Sequence, residues 1–155
     1  MARRLLVLLI LSLPAQVLAI NLELRRAGTS SSEVSVVVGE EIDVELWLDS
    51  AGQRVSGAAI FLSFDEAVLE LVELDRDPSP GFQPFEQGGF LGNGQVFRND
   101  LLDPDDPAAS FAGSQMDYSV VRAVDTGSGV VARFRLRALV PSRSSAVHID
   151  ESGIR

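Results

Sequence analysis

Side chains able to carry nucleophilic, acid–base or metal chemistry are few in this chain. There is one histidine, His148, no cysteine, and no serine in a G-x-S-x-G elbow, so neither an activated nucleophile nor its base is legible. Carboxylates are plentiful, and a pair of them can cleave a glycosidic bond. Here they fall on outward strand faces or in loops, and none stands in an apolar setting that would raise its pKa. Asp100, Asp103, Asp105 and Asp106 cluster in NDLLDPDDP. Clustered carboxylates suit calcium, but the spacing is not that of an EF-hand loop, and Asp before Pro is ordinary turn chemistry. His148 alternates with Ala146 and Asp150, the pattern of a solvated strand residue rather than a metal ligand. The expectation is a non-enzyme with no catalytic residue, metal or cofactor.

Residues suited to binding stand out more. Arg133, Arg135 and Arg137 form a cationic stripe at every second position. Trp47 faces outward on alternation; it could stack on a sugar or cap an interface, or lie over arginine stems. Phe61 lies outward with Ala59 and Ser63, where it could dock a partner or sit beneath the connection of residues 75–93.

The elements that position these residues are strands. Short apolar stretches separated by Gly, Pro, Ser and Asp clusters, with no sustained 3.6-residue period, predict an all-β sandwich. In EIDVELWLD, Glu41 to Asp49, the residues Ile42, Val44, Leu46 and Leu48 alternate with Asp43, Glu45, Trp47 and Asp49, so one set faces the core. Strands are also predicted at Gly57 to Asp65, Val68 to Leu74, Gln95 to Leu101, Ser110 to Ser114, Val130 to Val140 and Ala146 to Asp150. The stretch from Asp75 to Asn93, rich in Pro and Gly, reads as an irregular connection.

At the start, Arg3 and Arg4 precede an uncharged run from Leu5 to Leu13, a helix-breaking Pro14, and small residues at Val17 and Ala19. This is the layout of a secretory signal over residues 1–19, cut before Ile20. The apolar run is about half the roughly 20 residues that a membrane span needs. Export and the absence of cysteine mean that a packed core, not disulfides, must stabilise the domain of residues 20–155. Of 13 basic residues, 11 remain once Arg3 and Arg4 are removed, against 22 acidic ones, a net of −11. Nucleic acid is thereby excluded as a natural partner, since binding a polyanion needs clustered cations.

Three blocks, VVVGEEIDVELWL, VSGAAIFLSFDEAVLELVEL and GSGVVARFRLRALVPSRSSAVHIDES, together resemble the cohesin family, the receptor modules of cellulosome scaffolds. The resemblance implies a two-sheet jelly-roll β-sandwich of nine strands, related to carbohydrate-binding modules. It implies a secreted binding module whose partner is a dockerin-like or other protein domain in polysaccharide-degrading assemblies; a polysaccharide ligand is the alternative. The partner face would carry Ala59, Phe61 and Ser63, with His148, Asp150 and Trp47 as further candidates. In that topology the arginine stripe lies between Asp43 and Glu45 on one side and Glu70 and Glu73 on the other. A cross-strand ion ladder is then preferred to an acidic docking site, each pair contributing roughly 0.2–1 kcal/mol. Two departures are visible. Gly57 and Ala59 stand where the family often carries polar groups, and the family's closing strand, which lies beside the first, is expected to be missing after Arg155.

Overall fold

Period-two alternation sets the architecture. In the computed structural model, which describes residues 19–74, 82–102 and 114–154, the patterned segments become strands. They are β1 (Asn21–Arg26), β2 (Glu41–Asp49), β3 (Ala58–Phe64), β4 (Leu69–Val72), the two-residue β5 (Glu86–Gln87), β6 (Gln95–Leu102), β7 (Ser114–Val121), β8 (Ser128–Ala138) and β9 (Val147–Ile154). One sheet runs β1-β2-β8-β4, with β5 also on β8; the other runs β6-β7-β3-β9. The pairings are antiparallel. This is a two-sheet, all-β sandwich of the jelly-roll kind.

The two inner faces supply the core. Leu46 and Leu48 of β2 and Phe134 and Leu136 of β8 meet Ile60 and Leu62 of β3 and Met116, Tyr118 and Val120 of β7, all fully or almost fully buried. Burying one such side chain stabilises by roughly 1.5–3 kcal/mol, which is how a cysteine-free domain holds together. The long connection contributes as well. Phe85, Phe90 and Leu91 are buried, with the Phe85 ring 5.1 Å from Tyr118 and 5.5 Å from Phe134, centroid to centroid. Asn99 clamps the backbone of Phe85, accepting its N–H at 2.9 Å and donating to its carbonyl at 2.7 Å. Gly88 lets this segment reach β8: its N–H bonds the Val131 carbonyl, and a Cβ there would meet the Val130 carbonyl oxygen at 2.0 Å.

Several expectations need correction. The described part of the 75–93 connection plugs the core instead of lying over Phe61, because its aromatics outweigh the Pro and Gly around them. Of the strand expected at Ser110 to Ser114, residues 110–113 lie outside the described residues; the strand there is β7, beginning at Ser114. Asp100 belongs to β6 rather than a turn, while Asp103, Asp105 and Asp106 lie outside the described residues, as do residues 1–18 of the expected leader. The final strand reaches Ile154 and pairs with β3, and among the described residues β1 has only β2 as a neighbour.

Candidate functional site

The outer faces of the two sheets differ in how far they satisfy themselves. On the β1-β2-β8-β4 sheet the register sets Arg137 opposite Glu41, Arg135 opposite Asp43 and Arg133 opposite Glu45. Arg133 Nε donates to Glu45 Oε1 at 2.9 Å, Arg135 Nη2 to Asp43 Oδ2 at 2.9 Å and Arg137 Nη1 to Glu70 Oε2 at 3.0 Å. Arg137 Nη2 also bonds Glu41. The ion ladder is therefore present, with one correction. Glu73 accepts the Gln83 N–H instead, and Glu41 completes the set. The hydrogen bonds and charge of Arg135 hold the Asp43 carboxyl below its usual range despite some burial.

Trp47 closes the remainder of this face. Its ring carries the Arg25 guanidinium 4.5 Å above the centroid, and Arg25 is held by Glu23 at 2.7 Å. The arginine comes from β1, not from the β8 stripe, because a register shift after Leu46 sets Trp47 opposite Val130. With its ring so covered, Trp47 lies on the opposite sheet from the other candidate residues.

The outer face of β6-β7-β3-β9 is built differently. β3 buries Ala58, Ile60, Leu62 and Phe64, which leaves half-buried Ala59, Phe61 and Ser63 pointing out. His148 of β9 is exposed beside Ser63, and Ser63 Oγ donates to Asp150 Oδ1 at 2.9 Å. Five of the six candidates thus share this face. Gly57, just before β3, answers to packing: a Cβ there would meet the Val120 carbonyl oxygen at 2.8 Å.

Sequence reasoning missed the other half of the face. On β7 Met116, Tyr118 and Val120 enter the core, so Asp117 and Ser119 face outward, opposite Phe61 and Ala59 on β3 and opposite Asp100 and Arg98 on β6. A bulge between Val96 and Arg98 leaves Phe97 unpaired and 68 % exposed; bulges at sheet edges commonly re-aim a side chain. Asp117 also corrects the expectation that no acid has a raised pKa. Burial pushes its carboxyl up; Arg98 opposes this and Asp100 adds to it. The available signal was the Met116, Tyr118, Val120 alternation. Among the described residues no group of three acids or histidines could hold a metal, and no catalytic constellation is formed.

No family model and no curated protein matches the chain. Solved structures do match. A type II cohesin domain from the cellulosome of Acetivibrio cellulolyticus is similar over 85 % of this chain and 75 % of its own, with a TM-score of 0.61 at 16 % identity. The fold is cohesin-like. A non-cellulosomal cohesin from the archaeon Archaeoglobus fulgidus gives 0.51 at 18 % identity over 76 % of this chain and 68 % of that one. A chain of a type II cohesin–X–dockerin complex from Acetivibrio cellulolyticus gives 0.59 at 14 % identity, covering 86 % and 78 %. At these identities the likeness establishes a shared, cohesin-like architecture.

Proposed function

We propose that this chain is a non-catalytic receptor module, exported by its leader, that docks a dockerin-like protein domain on the outer face of the β6-β7-β3-β9 sheet. The observation that carries this reading is the contrast between the two outer faces. One is closed by its own ion ladder and a covered Trp47. The other offers half-buried Phe61 and Ala59 and the 68 % exposed Phe97, with polar Ser63, His148 and Asp150 at its edge. Aromatic side chains left accessible among polar ones are frequent anchors of protein-binding surfaces. Solved cohesins lend support through the fold they share with this chain, one of them in a complex with a dockerin.

The test is calorimetric titration of calcium-loaded dockerin modules into the protein and into Phe61→Arg. Burying a charge in an apolar contact should weaken binding by roughly tenfold or more, with the melting temperature confirming that the variant folds. Equal binding by the two forms would refute the docking face. The proposed leader has its own check: N-terminal sequencing of exported protein should begin at Ile20, and a mature chain retaining Leu5 to Leu13 would mean an anchor.

A further inference from the structure

The floor of this face holds an acid that makes no hydrogen bond or ion pair among the described residues. Asp117 faces outward between core residues Met116 and Tyr118, yet it is only 7 % exposed, as is Ser119. An outward side chain so little exposed must lie below the rim of longer neighbours. These are Phe61, directly opposite on β3, and Arg98 in the next row of β6, while Asp100, directly opposite on β6, is an acid of the same length. Among the described residues no hydrogen bond or ion pair reaches the Asp117 carboxylate. Arg98, whose charge acts on Asp117, makes its ion pair with Asp100, at 3.7 Å, and its guanidinium lies 5.9 Å from the Phe97 ring centroid.

An unpaired, desolvated carboxylate costs stability, and desolvation accordingly pushes the Asp117 carboxyl up. A neutral Thr, Val or Asn there would carry no such cost. The outer face of the other sheet pairs its ladder acids with arginines, so the lack is local to Asp117. Two carboxylates are too few for calcium, which takes six to eight oxygen ligands, and no third acid or histidine joins them among the described residues. A cation arriving on a partner would fit instead, and a chain with 22 acidic and 13 basic residues would attract a basic surface.

Resting on the docking reading above, we propose that Asp117 is the specificity-determining residue of this face. The protein partner fills the depression with an arginine or lysine, whose charged head pairs with Asp117 and Asp100 and whose stem lies against Phe61. Phe97 stands at the rim as an apolar anchor.

The probe is a display library of a three-helix scaffold randomised on one helical face, selected against the purified protein. Selected clones are titrated against the unchanged protein, Phe61→Arg and Asp117→Asn. Clones that Phe61→Arg no longer binds occupy the face. Among those, Arg or Lys should be enriched at one position over the unselected library, and binding to Asp117→Asn should be roughly tenfold weaker or more. Asp117→Asn keeps the side-chain shape, and its melting temperature confirms folding. Face-directed clones with no cation enrichment, or with equal affinity for Asp117→Asn, would overturn the inference while leaving the docking face standing. A selection with no clone sensitive to Phe61→Arg would overturn both.

Discussion

Asp43 and Asp117 are both strand acids on outer faces, and their surroundings drive them in opposite directions. Arg135 holds Asp43 below its ordinary pKa, so its stabilising contribution is present above the unfolded-state value and is lost as pH falls through the folded one. Asp117 is raised by burial. Its penalty is absent below the unfolded-state value and appears as pH rises through the folded one. Asp43→Asn should therefore lower stability at neutral pH, by about 1 kcal/mol or less because the pair is partly exposed and screened. Asp117→Asn should raise it. Thermal melts of both variants between pH 3 and 8 check this, and both differences should shrink toward the acid end. A destabilised Asp117→Asn at pH 7 would mean that the carboxylate has a favourable partner. Asp43 was legible as a ladder residue because it alternates within a run whose other face is apolar. Asp117 was not, because the strand expected there ended at Ser114 and only the paired strands reveal what lies opposite.

Elements with clean alternation, β2, β3 and β8, could be read directly, since a buried inner face demands apolar residues at every second position. β7 was missed although it lies second in its sheet, and the Phe85, Phe90 and Leu91 plug was missed because Pro84, Gly88 and Gly89 mark local coil while saying nothing of tertiary burial. β1 combines both kinds of information. The Ala27 N–H bonds Asp43 and the Arg26 N–H bonds the Ser31 carbonyl, so alternation turns the Leu22 and Leu24 N–H groups outward, away from β2. The turn around Ser31 thus shields only one end of this edge. In amide exchange, Leu22 and Leu24 should exchange faster than Glu23 and Arg25, whose N–H groups face β2. Uniform protection along β1 would show that something covers the edge. Rungs without a partner among the described residues are where another strand can add, which is the place the sequence resemblance reserved for a closing strand.

At the scale of the whole molecule, composition and patterning sufficed for a two-sheet sandwich without disulfides, and the cohesin-like solved structures share that architecture. Which surface is used is a separate matter, because a fold hosts many functions. The answer proposed here comes from the difference between a sheet face that neutralises its own charges and one that leaves Phe61, Phe97 and Asp117 unsatisfied. The most direct measurement is hydroxyl-radical footprinting of the protein alone and saturated with a calcium-loaded dockerin that binds it. Labelling of Phe97 and Phe61 should fall in the complex while Trp47, on the opposite sheet, is labelled as in the free protein. Protection of Trp47 with unchanged labelling of Phe97 and Phe61 would contradict it.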